Sequence, residues 1–343
     1  MQEQDAQGQE LGFRDGYGRE INYLRLSVTD RCNLRCFYCT NDSEAWHWLP
    51  HKEILSYEEC LALLQVASQL GVNKVRLTGG EPFVRKDFLW FLSKIVEHFP
   101  ELDLRVTSNG TLLGGKAALL RQIGLRGLNI SLDTLQRSKF EQITGRDQYL
   151  QVRENIESCL EQGLRVKVNV VAMRGVNDSE LQDFLALAQK RPLDLRFIEF
   201  MPIGKNSNWG HKYYWPAEEI LKSLEQRVHL LPLSKAQKNC GPARMFELSP
   251  GLGRVGVISP LSNHFCATCN RFRITPDGRL RTCLFSDKEY RLRPLLRNPN
   301  FSLQQVYRVM RLAGGKKPIG HDLLQKQAGR NSVCQRVMSA IGG

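Results

Sequence analysis

The segment TDRCNLRCFYC, residues 29–39, directly follows the first β-branched and Leu-rich run of the chain and contains three closely spaced cysteines. Cys32, Cys36 and Cys39 have the spacing C-x3-C-x2-C, and no fourth cysteine lies nearby. Ferredoxin-type segments supply four thiolates to a cubane, and structural zinc sites usually have four ligands. Three thiolates on a [4Fe–4S] cluster leave one iron without a protein ligand. The spacing therefore predicts a catalytic cluster with one iron open to a substrate.

A second group of three cysteines lies near the C-terminus. Cys266 and Cys269 are followed by Cys283, and residues 276–278 (Pro-Asp-Gly) between them form a strong tight-turn signal between two candidate strands, 271–275 and 279–284. Folding back at this turn would bring Cys283 beside Cys269. The pattern predicts a second [4Fe–4S] cluster with an open iron, and a zinc site completed by His264 is the alternative.

The remaining cysteines are scattered and are interpreted as small buried hydrophobic residues without an assigned role: Cys60, Cys159, Cys240 and Cys334. No apolar stretch approaches the ~20 residues needed to span a bilayer. The first ten residues are polar and acidic, unlike a secretory signal or a transit peptide. We therefore expect a cytoplasmic protein, where grouped thiols indicate metal rather than disulfides.

Six strand-and-helix units alternate between residues 21 and 201, which indicates parallel βαβ units. The candidate strands are 21–28, 73–78, 102–107, 127–132, 164–172 and 194–200, and helical stretches include 57–70, 87–98, 116–123, 149–162 and 179–190. This number of units favours an α/β fold with an incomplete (β/α)6 TIM-type barrel, and a doubly wound sheet is the alternative. The alternation ends after Met201. We predict a partial barrel over residues 1–204 and a C-terminal α+β domain over 205–343 that carries the second cysteine group.

Cationic side chains occur inside the candidate strands and alternate there with apolar neighbours: Arg25, Arg76, Lys167 and Arg196. Alternation directs one set of side chains into a barrel and the other toward its helices. Charges are costly inside a protein unless they are paired or meet a ligand, and arginine is suited to bidentate binding of phosphate. The pattern predicts an interior pocket for a polyanion, with salt bridges to Glu81 and Glu199 as the alternative.

A formal net charge of +13 is compatible with binding of nucleic acid. Such binding requires an exposed basic face on the protein. Cations inside strands argue against that partner. Lys316 and Lys317 are interpreted as a solvated helix edge.

The segment CNLRCFYC is similar to the signature of the radical S-adenosylmethionine superfamily, and residues 79–82 (Gly-Gly-Glu-Pro) resemble its GGEP motif. In that family the open iron binds the methionine moiety, and reductive cleavage releases a 5′-deoxyadenosyl radical. The resemblance implies that Tyr38 lies against the adenine and that Gly80 and Glu81 meet the methionine ammonium. It also implies contacts of Ser131 and Met201 with the ribose, carboxylate or adenine.

Over nearly its whole length the chain resembles the GTP 3′,8-cyclase family, which begins molybdenum cofactor biosynthesis. The resemblance rests on LRLSVTDRCNLRCFYC, RLTGGEP, VTSNG, NISLDTL, KVNVV, RFIEFMP, FCATCNRFRITPDG and the terminal Gly-Gly, whereas residues 206–214 and 234–255 match least well. It implies conversion of GTP to (8S)-3′,8-cyclo-7,8-dihydroguanosine 5′-triphosphate, with guanine at the second cluster. The implied GTP-binding residues are Arg25, Arg76, Thr107, Lys167, Arg196, Arg271, Phe272 and Arg273, of which Arg25, Arg271 and Arg273 are the implied catalytic residues.

The same resemblance implies that Gly342 and Gly343 enter the active site as a tail without side chains. It further implies an external one-electron donor and handover of the product to cyclic pyranopterin monophosphate synthase, with a homodimer as a possible assembly and neither nucleic acid nor membrane as a partner.

Two other functions stay open at this stage. A radical enzyme with an auxiliary cluster could modify a peptide, in which case a peptide rather than GTP would accelerate 5′-deoxyadenosine release. From another class, the protein could be an electron-transfer protein or a zinc-dependent nucleic-acid-binding protein. Colourless protein with stoichiometric zinc after anaerobic purification would favour that interpretation.

Overall fold

The computed structural model describes residues 12–39, 48–204, 208–233, 241–326 and 333–342. Cys240 and Gly343 lie outside these ranges. Twelve strands of the described residues form a single sheet. In chain order, β1 to β12 are Tyr23–Ser27, Lys74–Thr78, Asp103–Ser108, Gly127–Ser131, Val166–Ala172, Asp194–Glu199, His229–Pro232, Arg244–Ser249, Arg254–Ile258, Arg271–Ile274, Arg279–Arg281 and Tyr290–Arg291.

Strands β1 to β6 are neighbours in sequence order, and each is parallel to the next. A doubly wound sheet would reverse its strand order at a switch point, so this order excludes that alternative. The prediction of an incomplete (β/α)6 barrel is confirmed, and all six candidate strands occur within two residues of their expected bounds.

The C-terminal strands extend both edges of this sheet. β10 pairs in parallel with β1, and the predicted hairpin continues that edge through β11 and β12. On the opposite edge β9 pairs in parallel with β6 and is followed by antiparallel β8 and β7. The C-terminal region thus shares the sheet of the barrel units. A division of the chain at residues 204 and 205 stays a prediction.

Helices pack along one face of the sheet. α1 to α11 are Tyr57–Gln69, Phe88–His98, Ala117–Ile123, Arg137–Thr144, Tyr149–Glu161, Leu181–Lys190, Ala217–Glu225, Arg293–Leu296, Leu303–Gly315, Gly320–Lys326 and Met338–Ile341. α1 begins in a capping box, in which the Ser56 hydroxyl accepts from the Glu59 amide and the Glu59 carboxylate accepts from the Ser56 amide. No helix in the described part of the chain is both long and apolar enough to cross a membrane.

The two faces of the sheet differ sharply in polarity. Leu24 and Leu26 of β1 point into the apolar core that the helices cover. Tyr23 and Arg25 alternate with them and stand level with Arg271 and Arg273 of β10 on one side and Lys74 and Arg76 of β2 on the other. This agrees with the expected alternation. We call the second face, lined by Tyr23, Arg25, Arg76, Asn129, Lys167, Arg196, Arg271 and Arg273, the polar face.

Candidate active site

The first cysteine group lies in the loop that leaves the carboxyl end of β1. The Cys32 sulfur accepts from the Leu34 amide at 3.4 Å and from the Asn109 side-chain amide at 3.6 Å. The Ser339 main chain hydrogen-bonds the Cys39 sulfur. Burial raises the pKa of Cys32 and brings that of Cys39 to about 12. Such buried thiols would be ionised only by binding a metal, and N–H groups aimed at sulfur are what a thiolate-bound cluster requires.

The Gly-Gly-Glu-Pro segment packs directly on this cysteine loop. The Gly80 amide donates to the Thr29 carbonyl at 2.9 Å, and the Glu81 amide donates to the Arg31 carbonyl at 2.7 Å. A methyl group at Gly80 would lie 2.2 Å from the Arg31 carbonyl oxygen. The position therefore requires glycine, because the two backbones are in contact.

We expect Gly80→Ala to displace the first cysteine loop, since no side chain can relieve a clash with backbone. Iron content should fall to that of a single cluster, and reductive cleavage of S-adenosylmethionine should be lost. Gly241→Ala is the matched control, because a methyl group there meets nothing within 4 Å. Iron analysis and 5′-deoxyadenosine assays test this, and a Gly80→Ala variant with full iron and full cleavage would contradict it.

Glu81 and Glu199, the proposed salt-bridge partners of the strand cations, are used elsewhere. Glu81 accepts from the Asn109 amide at 2.6 Å and the Ser108 hydroxyl at 3.0 Å, and burial raises its pKa to about 7. Glu199 accepts from the Ala217 amide and from the loop at residues 261–262. The alternative that these two carboxylates neutralise the cations is wrong.

The side chains expected at S-adenosylmethionine lie in different surroundings, and their contacts with that cofactor stay predictions. Tyr38 donates to the Asp133 carboxylate at 2.5 Å and lies edge-on to Phe200 at 6.1 Å. Burial raises the pKa of Asp133 to about 6, opposed by this hydrogen bond. Ser131 ends β4 and is half-buried, whereas Met201 packs against the cluster formed by the C-terminal tail.

The second cysteine group is brought together by the predicted hairpin and by the start of α10. A methyl group at Gly320 would lie 3.0 Å from the Cys283 sulfur and 3.4 Å from the Cys266 sulfur, so both sulfurs face this glycine. Arg271 donates to the Cys269 sulfur at 3.7 Å. Burial alone would raise the pKa of Cys269, but the cations Arg271 and Lys317 bring it down to about 6.

Lys317 lies beneath this group and is 2% exposed. Its ammonium donates to the carbonyls of Arg271, at 2.8 Å, and of Thr282. The interpretation of Lys317 as part of a solvated helix edge is wrong, although its neighbour Lys316 is exposed. Sequence reasoning missed Lys317 because a charged residue at a helix end is usually solvated.

His264, the candidate fourth zinc ligand, stacks on His321 with ring centroids 3.8 Å apart. Within the described ranges, no group of three Cys, His, Asp or Glu side chains is arranged to hold a single metal ion. A cubane does not require such convergence, because each thiolate binds a different iron. Both cysteine groups fit a cluster by their donor chemistry and by the N–H groups and cations that face their sulfurs.

The polar face contains buried guanidinium groups that no carboxylate neutralises. Arg76, Arg196 and Arg273 are 9%, 6% and 5% exposed, and none of the three forms an ion pair with a described residue. With its amide oxygen turned toward them, Asn129 accepts from both Arg76 and Arg196. Burial lowers the pKa of Arg196 to about 9 and that of Arg273 to about 10, with neighbouring arginines adding to the effect. Such uncompensated cations indicate a site for an anion.

Arg25, Thr107 and Lys167 occupy the same face. Burial, with Arg273 beside it, lowers the pKa of Arg25 well below its usual range. The Thr107 hydroxyl is buried without a hydrogen-bond partner in the part of the chain that the structure describes, which leaves it available to a ligand. Lys167 pairs with Asp194, which also binds Arg254. Lys167 thus has a carboxylate partner, whereas Arg76 and Arg196 form no ion pair with a residue in the described ranges.

The Phe272 side chain does not lie on the polar face with the other predicted GTP-binding residues. Its side chain is fully buried in the apolar core and lies 6.2 Å from the Phe13 ring, because it alternates with Arg271 and Arg273 along β10. Any part for Phe272 in ligand binding would be restricted to its main chain.

The C-terminal tail reaches the polar face. The Arg273 guanidinium donates to the Gly342 carbonyl at 2.7 Å. Gly342 has φ of +73°, and a methyl group there would lie 2.8 Å from the Thr78 side chain. Arg336 anchors the tail by an ion pair with Asp277 at 3.2 Å. The described end of the tail thus lies at the polar face beside Arg273, and its entry into the active site stays a prediction.

Comparison with known proteins matches two family models along the chain. A family model described as "Radical SAM superfamily" matches residues 26–188, and one described as "Molybdenum Cofactor Synthesis C" matches residues 193–323. The GTP 3′,8-cyclase of Alkaliphilus oremlandii is 41% identical over 332 residues, covering 96% of this chain and 100% of that protein. The GTP 3′,8-cyclase of Desulforamulus reducens is 42% identical over 330 residues, covering 96% and 99%.

Solved structures show the same fold at low sequence identity. Streptococcus suis SuiB bound to S-adenosylmethionine matches with a TM-score of 0.57 and 14% identity, over 88% of this chain and 67% of that one. SuiB bound to the precursor peptide SuiA gives the same TM-score and identity over 96% and 76%. At this identity the likeness concerns architecture alone.

Proposed function

Since the chain belongs to the GTP 3′,8-cyclase family of radical S-adenosylmethionine enzymes, we propose that its polar face binds GTP between two [4Fe–4S] clusters. The enzyme converts GTP to (8S)-3′,8-cyclo-7,8-dihydroguanosine 5′-triphosphate, the first step of molybdenum cofactor biosynthesis. The observation that carries the substrate assignment is a set of buried guanidinium groups that form no ion pair with a described carboxylate, namely those of Arg76, Arg196 and Arg273.

In this proposal Cys32, Cys36 and Cys39 hold the first cluster, and Cys266, Cys269 and Cys283 hold the second. The first cluster, when bound with S-adenosylmethionine, supplies the electron and hence the radical chemistry that begins cyclisation. The proposed S-adenosylmethionine contacts are Tyr38, Gly80, Ser131 and Met201. The hydrogen bond to Asp133 fixes the Tyr38 ring, so that this side chain is oriented before the cofactor arrives.

The proposed GTP contacts are Arg25, Arg76, Thr107, Lys167, Arg196, Arg271 and Arg273. Asn129 orients two of these arginines, and Arg271 and Arg273 lie on β10, which directly follows Cys269. A triphosphate would supply negative charge to Arg76, Arg196 and Arg273, which form no ion pair with a described residue. The tail closes the same space, which keeps water from the reacting atoms.

The test is anaerobic reconstitution with GTP, S-adenosylmethionine and a reductant, followed by mass spectrometry of the nucleotide product. Formation of the cyclic nucleotide is the expected result, and GTP should accelerate release of 5′-deoxyadenosine. Acceleration by a peptide but not by GTP would overturn the substrate assignment. A cytoplasmic location, the external electron donor, handover to cyclic pyranopterin monophosphate synthase and a homodimer stay predictions.

The affinity for GTP should fall as the pH rises from 7 to 9. Burial lowers the pKa of Lys167 to about 8 despite Asp194, so this lysine loses its charge in that interval. Burial would raise the pKa of Tyr23, but Arg76, Arg25, Lys74 and Arg271 bring it to about 8, so phenolate forms in the same interval. Both changes make the polar face less positive. Each should lower the affinity for GTP by up to about tenfold per pH unit.

Calorimetric titration at several pH values measures this effect. Lys167→Arg stays charged over this pH range and should flatten the dependence of GTP affinity on pH. Comparison with the parent therefore separates the contribution of Lys167 from ionisation of the nucleotide itself. An unchanged profile in this variant would contradict the assignment of the titration to Lys167.

A further inference from the structure

Lys317 connects the two chain segments that carry Cys269 and Cys283. Its ammonium donates to the Arg271 carbonyl, two residues after Cys269, and to the Thr282 carbonyl, immediately before Cys283. A single side chain therefore fixes the spacing between these two parts of the second cysteine group.

Arg19 completes this arrangement from the N-terminal side. Its guanidinium donates to the Cys266 carbonyl at 2.8 Å and to the Lys317 carbonyl at 3.0 Å. Asp15 pairs with Arg19 at 2.6 Å and neutralises it. Together, Arg19 and Lys317 hold the backbone beside all three cysteines of the group.

Lys317 differs from Arg19 in its charge balance. At 2% exposure it forms no ion pair with any carboxylate among the residues that the structure describes. A buried ammonium in this situation is costly unless a negative charge lies near it. Cys269 and Cys283 both interact electrostatically with Lys317, and as cluster-bound thiolates they would place negative charge near its ammonium.

A cubane bound by three thiolates carries net negative charge, which increases when the cluster is reduced. A fixed positive charge in a low-dielectric environment stabilises the reduced form more than the oxidised one. The charge on Lys317 should therefore favour acceptance of an electron by the cluster above it.

We propose that Lys317 is a positioning residue of the second cluster, which joins the Cys269 and Cys283 segments and raises the reduction potential of the cluster. The inference rests on the proposed function, because it requires a cluster at Cys266, Cys269 and Cys283. It assigns to Lys317 an effect on the cluster rather than contact with GTP or S-adenosylmethionine.

The experiment uses the full chain with Cys32, Cys36 and Cys39 replaced by alanine, so that only the second cluster is present. Iron content and an EPR-monitored redox titration are compared for this parent and for Lys317→Gln, which keeps N–H donors for the two carbonyls but removes the charge. At a fixed ambient potential the ratio of reduced to oxidised cluster should fall about tenfold, which corresponds to about 59 mV for one electron. Lys316→Gln, a change at the exposed neighbour, should leave both readouts unaltered.

A Lys317→Gln variant that holds its cluster with the parent's potential overturns the inference. If that variant loses the cluster, Lys317→Arg is compared with the parent instead, because arginine retains the charge and the N–H donors. Lys317→Arg should restore the iron content and the parent's reduction potential. If it does not, the inference is overturned. A parent that binds no cluster would instead refute the proposed second cluster itself, so the two failures are distinguishable.

Discussion

Replacing Cys266, Cys269 or Cys283 with serine should abolish formation of the cyclic nucleotide while sparing part of the S-adenosylmethionine cleavage. The two cysteine groups have separate supports. The first is held by the loop after β1 together with Gly80 and Asn109, and the second by the hairpin and Gly320. Loss of a second-group ligand therefore leaves the first site assembled. Product formation should fall by more than about 100-fold, because even loss of an outer-shell partner costs 10–100-fold at metal sites.

The measurement combines iron analysis with chromatography of 5′-deoxyadenosine and of the nucleotide product. Cys159→Ala serves as the control, because Cys159 is a buried core residue of α5 and belongs to neither group. That variant should retain both activities and its full iron content. Full product formation in any of the three serine variants would refute a role for the second group in cyclisation.

Arg273→Met should lower kcat/KM for GTP by about 10²- to 10³-fold. The side chain has two partners to lose: the proposed triphosphate and the carbonyl of Gly342, which it binds at 2.7 Å. A hydrogen bond to a charged group contributes about 1.5–3 kcal/mol, and truncating one member of a buried charged contact costs about 2–5 kcal/mol. The smaller combined cost, about 3.5 kcal/mol, corresponds to about a 400-fold loss, which lies within the expected range.

The contribution of the tail can be separated with Gly342→Val. A side chain at Gly342 would clash with Thr78 and requires a left-handed φ, so the tail should leave its place. If Arg273 acts partly by holding the tail, the losses in the double variant should be smaller than the sum of the single losses. Arg291→Met, at an exposed position of β12, is the control and should keep normal kinetics. An Arg273→Met enzyme within about threefold of the parent would contradict the assignment.

Much of the barrel could be predicted because its signals are local. The six strands and their helices follow from residue periodicity over short windows, and the observed strands agree with those expected. The alternation of Arg25 and Arg76 with apolar neighbours likewise indicates a polar face. The same rule, applied to β10, would have placed Phe272 opposite Arg271 and Arg273, as the structure does.

Other parts of the site have no local signal. Asn129 is an ordinary polar residue in β4, and its position between Arg76 and Arg196 depends on pairing among β2 to β6. Lys317 follows a helix end and is buried by the hairpin and by Arg19, which lies 298 residues earlier. Burial of a charge depends on these distant partners, so the sequence indicated a solvated side chain instead.

The sequence by itself determined two features of the site. Thiol spacing on a short loop limits which metal group can bind there, and strand periodicity decides which side chains share a face of the sheet. The tertiary structure alone decided how the C-terminal region completes the site. β10 pairs with β1, β9 pairs with β6, and Gly342 lies against Thr78. These contacts join segments far apart in the chain, and their free energy comes from packing and hydrogen bonds that exist only once both segments are folded.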